Sequence, residues 1–332
     1  MAVLVCGGAG YIGSHGTAEL IDQGEEVIVL DNLQMGHEQA VMDKAVFYKG
    51  DLRDDKILDT VFSNHQIEEV IHFAADSLVG VSMEQPLDYY DNNVYGMLCL
   101  LKKMKQYGAK RIVFSSTAAT YGEPEEVPIT EESVTKPTNP YGQTKLAMEE
   151  MMHWCKEAYG IEYVALRYFN VAGAHSKYDI GEDHHPETHL IPIILQVALG
   201  QREKIYVFGD DYPTEDGTCI RDYIHVEDLI QAHVKALNYL REGGASDVFN
   251  LGNGNGFSVQ QVIDTVEEVT GKSISREIAP RRAGDPAALV ASSQKAQKTL
   301  GWKPEFSDLK AIVKTAWDWH QKYPQGYKAG EK

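Results

Sequence analysis

Short apolar segments alternate with longer helical patterns through the first half of this 332-residue chain. Repeated strand–helix units of this kind predict a parallel sheet with helices on both of its faces. The fold class that we expect is therefore α/β, with a doubly wound parallel sheet. The apolar segments have the length of buried parallel strands: Val3–Cys6, Val27–Leu30, Val46–Tyr48, Val70–Phe73, Arg111–Phe114 and Tyr163–Leu166. The helical patterns between them are Ile12–Gln23, Lys56–Asn64, Pro86–Tyr107 and Lys145–Tyr159.

The pattern changes after about residue 170. Residues 174–190 are polar and predict a loop, and helical patterns then alternate with isolated strand signals. We predict two domains: residues 1–170, and a smaller α/β domain of residues 171–332. Residues 221–251 are expected to return to the first domain, because two apolar segments there, Asp222–Val226 and Val248–Leu251, have the character of strands of the large sheet.

The charge balance excludes some classes of partner. The chain has 31 basic and 49 acidic residues, a net charge of −18. Such a chain repels nucleic acid and anionic membrane surfaces, so we expect neither as a partner. Any phosphate site has to be built locally, from arginines and helix N-termini.

The cysteines and the apolar segments bear on the compartment. The four cysteines are widely spaced and form no C-x-x-C pair, which favours free thiols in a reducing compartment. The first residues show no signal-peptide pattern, and no apolar run has membrane-spanning length. We therefore expect a cytoplasmic protein.

The first strand runs directly into a glycine turn. Gly7, Gly10 and Gly13 follow the order G-x-x-G-x-x-G, and a helical pattern begins within the turn. Such a turn lets the backbone approach a pyrophosphate at the N-terminus of the helix. Asp31 ends the second strand 18 residues after Gly13, near the spacing of an acid that binds the adenosine ribose. The pattern predicts dinucleotide binding, and an acid at this place favours NAD over NADP; the alternative is a plain strand-to-helix turn.

A possible proton-transfer set follows the fifth strand. Tyr141 and Lys145 are four residues apart, which places both on one face of a helix. An ammonium group near a phenol favours the phenolate, so we expect Lys145 to lower the pKa of Tyr141. Thr117 ends the fifth strand and is placed to bind the same substrate oxygen. The alternatives are a surface Tyr–Lys pair and a hydroxyl that only stabilises a turn.

With these motifs the chain resembles the extended short-chain dehydrogenase/reductase family, and within it the UDP-glucose 4-epimerases. The matching blocks have nearly uniform spacing from residue 7 to residue 286: GGAGYIGSH, DNLQMGH, FAADSLVGVS, SSTAATYGEP, NPYGQTK, RYFNVAGAH, FGDDYPTEDGT, RDYIHVEDL, FNLGNG and RRAGDP.

The resemblance implies a Rossmann-type NAD-binding domain, a UDP-sugar-binding domain and tightly bound NAD. It implies interconversion of UDP-glucose and UDP-galactose through a 4-keto intermediate, as in galactose metabolism, with Tyr141 as the acid and base. It also implies a homodimer formed through two helices per subunit, for which Pro86–Tyr107 and Lys145–Tyr159 are the candidates.

The family's site residues carry over to positions of this sequence. The catalytic residues are Tyr141, Lys145 and Thr117. The implied cofactor contacts are Gly7, Gly10, Tyr11, Ile12, Gly13, Asp31, Asn32, Leu33, Gly36, Asp51, Leu52, Phe73, Ala74, Ala75, Ser77, Asn92, Tyr141, Lys145, Tyr168 and Phe169. The implied substrate contacts are Thr117, Tyr141, Asn170, His189, Leu190, Tyr206, Val207, Phe208, Arg221, Arg282–Asp285 and Leu289.

Three positions depart from the family pattern or extend it. Ser77 replaces a lysine that contacts the cofactor, and His189 replaces a common asparagine. Leu289 stands where a bulky tyrosine restricts similar enzymes to glucose and galactose, so we expect N-acetylated UDP-hexoses as secondary substrates.

The sequence also contains a run of histidines, His184, His185 and His189. These residues lack the H-E-x-x-H spacing of a metal-binding helix, so the sequence predicts a solvated loop and no metal.

Two other functions remain open on sequence grounds. The first is a nucleotide-sugar 4,6-dehydratase or decarboxylase of the same fold. In similar dehydratases an Asp-Glu pair follows the active-site threonine, whereas Ala118 and Ala119 follow Thr117 here and transfer no proton. The second is a non-catalytic NAD-binding protein, which the intact Thr117–Tyr141–Lys145 set disfavours.

Overall fold

A seven-stranded parallel sheet forms the centre of the protein. The computed structural model describes residues 1–282 and 285–327. The strands of this sheet are β1 (Ala2–Cys6), β2 (Glu26–Asp31), β3 (Val46–Lys49), β4 (Ile67–His72), β5 (Arg111–Thr117), β6 (Glu162–Tyr168) and, later in the chain, β10 (Asp247–Leu251). Their order is β10-β6-β5-β4-β1-β2-β3, and every neighbouring pair is parallel. The predicted doubly wound α/β fold is confirmed.

The helices cover both faces of the sheet and build the smaller part of the molecule. They are α1 (Tyr11–Asp22), α2 (Asp55–Asn64), α3 (Val79–Glu84), α4 (Pro86–Tyr89), α5 (Gly96–Tyr107), α6 (Pro140–Tyr159), α7 (Leu190–Ala198), α8 (Val226–Arg241), α9 (Val259–Thr270), α10 (Gln294–Leu300) and α11 (Leu309–Lys322). A π-helical segment, Tyr90–Tyr95, joins α4 to α5. In the described part of the chain, no helix is long and apolar enough to cross a membrane.

The sheet is buried on both faces because its strands are apolar at successive positions. Leu4 and Cys6 of β1 belong to a core cluster that includes side chains of α2, α5 and α6. Val3 and Val5 point to the opposite face and pack with side chains of α1 and α8. This burial on two sides explains why the strands are continuous apolar runs rather than alternating ones.

Two groups of short strands form the rest of the described sheet structure. The strands are β7 (Asn170–Ala172), β8 (Ile205–Phe208), β9 (Ile220–His225), β11 (Gly256–Ser258), β12 (Arg276–Ala279) and β13 (Ala288–Leu289). β9 pairs with β7, β11 and β13, while β8 pairs with β12. A separate apolar cluster fills the space between these strands and α7, α9 and α11.

The chain returns to the large sheet later than the sequence predicted. Val248–Leu251 joins the sheet as part of β10, beside β6, as predicted. The prediction for Asp222–Val226 is wrong, because this segment lies in β9 and at the start of α8. β9 pairs with its three short partner strands instead of with the large sheet. The chain therefore returns to the large sheet with α8, whose apolar face packs on that sheet.

A buried ion pair links α6 to β6. Arg167 donates to both carboxylate oxygens of Glu149, at 3.0 Å from Nε and 2.6 Å from Nη2, and both side chains are less than one-tenth exposed. The guanidinium also lies over the ring of Tyr121, and the Ser116 hydroxyl donates to Glu149. These contacts hold the helix that carries Tyr141 against the sheet.

We predict that Arg167→Met lowers the free energy of unfolding by about 3–5 kcal/mol, because it leaves Glu149 charged and unpaired in the interior. Denaturant unfolding measures the change. The double variant Glu149→Leu/Arg167→Met removes both charges and should recover most of the stability. A double variant as unstable as the single one would contradict this interpretation.

Candidate active site

The glycine turn between β1 and α1 is shaped for a closely approaching ligand. Gly7 has φ +79°, and a side-chain carbon there would lie 2.6 Å from the Ala74 backbone nitrogen. A side-chain carbon at Gly13 would lie 2.0 Å from the Gly7 carbonyl oxygen. The α1 N-cap is Gly10, which offers no side-chain acceptor, so the first amides of α1 are available to an anion. The turn fits the pyrophosphate of the predicted dinucleotide.

Two carboxylates stand beside this turn, at the ends of β2 and β3. Asp31 accepts hydrogen bonds from the backbone amides of Ala9 (2.9 Å) and Leu33 (2.8 Å), which fixes its orientation beside the glycine turn. The Asp51 carboxylate accepts a hydrogen bond from the side-chain amide nitrogen of Asn32 at 3.0 Å. The Arg53 guanidinium bonded to Asp51 holds the pKa of that carboxyl well below its usual range. Asp51 is therefore anionic across the physiological pH range.

A single cleft brings together most of the predicted cofactor contacts. The predicted residues that line it are Gly7, Gly10, Asp31, Asn32, Gly36, Asp51, Leu52, Phe73, Ala74, Ala75 and Asn92. Sequence reasoning missed other lining residues: Leu30, Gln34, Met35, Gly50 and Asp76. Each of these five residues is adjacent in the chain to a predicted residue, and adjacency was the signal that could have found them.

The remaining predicted cofactor contacts lie outside the lining of that cleft. Tyr11, Ile12 and Gly13 form the first turn of α1, and the Tyr11 hydroxyl donates to the Gly173 carbonyl at 2.6 Å. Ser77 is exposed and carries no charge. The other predicted cofactor contacts outside the lining of the cleft are Leu33, Tyr141, Lys145, Tyr168 and Phe169.

The proposed proton-transfer residues meet where β5 ends and α6 begins. Thr117 is the last residue of β5, while Tyr141 and Lys145 lie in the first turns of α6. Asn139 caps this helix by accepting from the Gly142 amide at 2.8 Å. A side-chain carbon at Gly142 would lie 2.5 Å from the Ala119 carbonyl oxygen, so glycine allows α6 to approach the turn after Thr117. Sequence reasoning missed Asn139 and Gly142 as positioning residues.

Burial dominates the electrostatics of this group. Lys145 is 3% exposed, its Nζ donates to the Ser115 carbonyl at 2.8 Å, and burial lowers its pKa to about 7. Burial also raises the pKa of Tyr141, which outweighs the hydrogen bond with Thr117. The predicted lowering of the Tyr141 pKa by Lys145 is therefore wrong. The Lys145 nitrogen lies 6.0 Å from the centre of the Tyr141 ring and bonds to the backbone instead.

Arg221 is the centre of the predicted substrate side. It lies on β9, opposite Leu289 of β13, and donates to the carbonyl of Pro286 at 3.0 Å. Its guanidinium also pairs with the carboxylate of Asp285. That carboxylate lies 64 residues further along the chain.

The predicted substrate contacts on and beside β8 differ in the exposure of their side chains. Tyr206 is half-exposed on β8, whereas Val207 is buried and has only its backbone to offer. The Arg282 guanidinium lies 4.1 Å from the centre of the Phe208 ring, on the end of the same strand.

Two further contacts stand at element boundaries. His189 and Leu190 begin α7, and Asn170 donates to the Asp222 carbonyl at 3.2 Å. Ala283 and Gly284, within the predicted UDP-contacting run, lie outside the described residues.

Comparisons with known proteins agree over the full length. The model of the NAD dependent epimerase/dehydratase family matches residues 3–252. A protein named UDP-glucose 4-epimerase from Halalkalibacterium halodurans is 62% identical over 332 residues, which is 100% of this chain and 99% of that protein.

Solved structures agree with the same family. The UDP-glucose 4-epimerase of Brucella ovis in complex with NAD is 46% identical with a TM-score of 0.93, over 96% of this chain and 97% of that one. The UDP-glucose 4-epimerase of Bifidobacterium longum in complex with NAD⁺ and UDP is 42% identical with a TM-score of 0.93, over 98% and 100% of the two chains.

We predict that the cleft prefers NAD to NADP by about 100-fold in affinity, because the Asp31 carboxylate repels a 2′-phosphate by several kcal/mol. Cofactor-free protein reconstituted with each dinucleotide measures the ratio. Asp31→Asn should reduce the preference, whereas Asp76→Asn, a matched change in the same cleft, should leave it unchanged. Equal affinities in the unaltered protein would show that Asp31 does not face the ribose.

Proposed function

The chain belongs to the NAD dependent epimerase/dehydratase family, and we propose that it interconverts UDP-glucose and UDP-galactose by inverting C4 of the hexose. The observation that carries the proposal is the meeting of Thr117, Tyr141 and Lys145 beside a cleft shaped for a dinucleotide. The full-length similarity to proteins named UDP-glucose 4-epimerase supports the substrate.

The cofactor in this proposal is NAD, held by the glycine turn, Asp31 and Asp51. NAD⁺, when bound, supplies the oxidant and then the reductant for C4 of the sugar and adds the positive charge of its nicotinamide ring to the site. Asp31 and the first turn of α1 provide the hydroxyl-binding and pyrophosphate-binding groups.

Tyr141 carries the proton in both directions. It takes the proton of the 4-hydroxyl as the 4-keto sugar forms and returns it to the same oxygen afterwards. Burial favours the neutral phenol, which is the form that returns the proton. For the opposite step, the hydrogen bond with Thr117 lowers the pKa of the phenol against the effect of burial. Lys145 is 3% exposed and donates to the Ser115 carbonyl, which fixes the start of α6 against β5.

Inversion requires the sugar to present its second face while the nucleotide stays bound. Binding energy therefore belongs on UDP rather than on the hexose. Arg221, Arg282 and the N-terminus of α7 supply local positive charge and amides on a chain whose net charge is −18. Asp285, which pairs with Arg221, is the proposed partner of the uridine ribose.

The dehydratase alternative needs a second proton-transfer group beside the 4-keto sugar. The 3-10 turn that follows Thr117 begins with Ala118 and Ala119, so neither position supplies one. The keto intermediate then has the return path alone, which favours epimerisation over loss of water.

The proposal includes the organisation of the chain. Residues 1–170 bind NAD, residues 171–332 bind the UDP-sugar, and α8 and β10, within residues 226–251, return to the first part. Two chains form a homodimer through α5 and α6. Exposed apolar side chains on these helices and on the π-helical segment between α4 and α5 support this: Tyr95, Leu98, Trp154 and Tyr159. Free cysteines agree with a cytoplasmic enzyme.

One experiment tests the activity directly. Purified protein is incubated with UDP-galactose without added NAD, and the product sugars are separated. We expect UDP-glucose to form from enzyme that retains its cofactor. Loss of water or carbon dioxide from the sugar would indicate the alternative chemistry, and bound NAD without any turnover would indicate a non-catalytic protein.

We predict that Tyr141→Phe retains the fold and bound NAD but loses about 10²- to 10⁴-fold in kcat, the usual contribution of a general acid–base group. Steady-state rates with UDP-galactose measure the loss. Tyr239→Phe, which removes a hydroxyl from α8, serves as the matched control and should keep full activity. A Tyr141→Phe enzyme within a few-fold of the unaltered one would refute the assignment.

We also predict that UDP-N-acetylglucosamine and UDP-N-acetylgalactosamine are secondary substrates, because Leu289 leaves more room than tyrosine for a rotating acetamido group. Leu289→Tyr should suppress them selectively by tenfold or more, since overpacking costs about 1–3 kcal/mol. Leu289→Phe separates volume from the tyrosine hydroxyl and should have the same effect. The prediction fails if the unaltered enzyme turns over UDP-glucose rapidly but neither N-acetylated sugar.

A further inference from the structure

Four side chains converge in the segment that precedes α7. They are Glu182, His184, Glu187 and His189, and one ligand atom from each lies within 4.8 Å of the others. Glu182 is 4% exposed and Glu187 is 9% exposed, so this segment is not the fully solvated loop that the sequence predicted. The spacing E-x-H-x-x-E-x-H matches no helical metal motif, and only the fold brings the four atoms together.

The four imidazole-to-carboxylate distances in this Glu–His cluster are close to those between the ligands of a tetrahedral metal ion. His184 Nδ1 lies 3.3 Å from Glu182 Oε1 and 3.6 Å from Glu187 Oε2, and His189 Nδ1 lies 2.9 and 3.1 Å from the same two carboxylates. Two donor atoms held about 2.1 Å from a tetrahedral centre are about 3.4 Å apart.

Two of the buried atoms in the cluster lack hydrogen bonds of good geometry. Within the described residues these atoms are Glu182 Oε1 and His184 Nδ1, although the imidazole nitrogens of His184 and His189 lie 3.3 and 2.9 Å from Glu182 Oε1. Buried polar atoms are nearly always well satisfied, so the arrangement of these groups suits a shared ligand better than it suits direct hydrogen bonds. Glu187 is oriented by the amides of Thr188 and His189, which donate to Oε1 at 2.7 and 2.8 Å, as outer-shell contacts orient metal ligands.

We propose that the Glu–His cluster binds one Zn²⁺ ion through two imidazole nitrogens and two carboxylate oxygens. This donor set suits zinc, which takes histidine and carboxylate ligands in four-coordinate sites. The His189 side chain is 42% exposed, which gives the ion a path from solvent. Four protein ligands close the coordination sphere, so the site is structural and takes no part in the reaction.

The position of the cluster gives the ion a structural consequence. His189 is the N-cap residue of α7, and the ring of His184 meets the ring of Tyr11 edge-on at 6.1 Å. Tyr11 is the first residue of α1, directly after the glycine turn. Zinc would therefore tie the start of α7 to the segment that packs against the cofactor-binding helix.

The competing explanation is an ion-pair cluster without metal. Two protonated imidazoles would neutralise the two carboxylates, and the cluster would hold protons in place of zinc. The two explanations differ in metal content and in the response of the protein to added Zn²⁺.

The test measures zinc on the complete protein with its cofactor bound. Metal content is determined by inductively coupled plasma mass spectrometry. The protein is then stripped with a chelator, titrated with Zn²⁺ and followed by calorimetry and thermal unfolding. We expect saturable binding of one ion per chain and a higher melting temperature with zinc.

Matched variants distinguish the cluster from adventitious binding. His184→Asn and the nearly isosteric Glu187→Gln should each weaken Zn²⁺ binding by more than 100-fold, beyond the roughly 10- to 100-fold typical of losing an outer-shell contact. His185→Asn is the control, because its side chain is 81% exposed in the same segment and lies outside the cluster.

Two results would overturn the proposal. One is the absence of saturable one-to-one binding to the unaltered protein, a measurement that needs no variant. The other is an equal loss of affinity in His184→Asn and His185→Asn. Neither readout depends on epimerase activity, so failure of the zinc site and failure of the proposed function are distinguishable.

Discussion

The parallel direction of the central strands is the constraint on which the rest of the structure depends. Because all seven strands run the same way, β1, β2, β4 and β5 end at one edge of the sheet. Asp31 and Thr117 are the last residues of β2 and β5, and the glycine turn and the Phe73–Ala75 segment directly follow β1 and β4. The connecting helices bury both faces of the sheet, so this edge is where loops and polar groups can meet a ligand.

Close backbone approach shapes this edge further. At Gly7, Gly13 and Gly142 the neighbouring backbone lies where a larger residue would place its side chain. Gly7 allows the turn after β1 to lie against the backbone that follows β4, Gly13 allows α1 to begin against the β1 turn, and Gly142 allows α6 to begin against the turn after Thr117. The cofactor cleft and the proton-transfer group are therefore adjacent for the same physical reason, the tight contact of helix N-termini with strand ends.

At the proposed catalytic group, burial and the charge of a neighbouring carboxylate shift the pKa of Lys145 in opposite directions. Burial disfavours the ammonium of Lys145 and the phenolate of Tyr141 alike, which is why the pKa of the first is lowered and that of the second is raised. The charge of Glu149 offsets part of the effect on Lys145, and Arg167 keeps that carboxylate in place. The ion pair between α6 and β6 is thus connected to the electrostatics of the reaction site through one shared side chain.

The sequence by itself determined which segments form the first six strands of the large sheet and which residues lie at the ends of those strands. Each of these is a local property: an apolar run, a glycine without a side chain, or a residue next to a strand end. Only the tertiary structure decided the features that depend on contacts between distant segments. These include the pairing of β9 with three short strands, the ion pair of Arg221 with Asp285 and the hydrogen bond from the Lys145 side chain to a backbone carbonyl. The Glu–His cluster belongs with them, because its burial comes from packing that no spacing along the chain records.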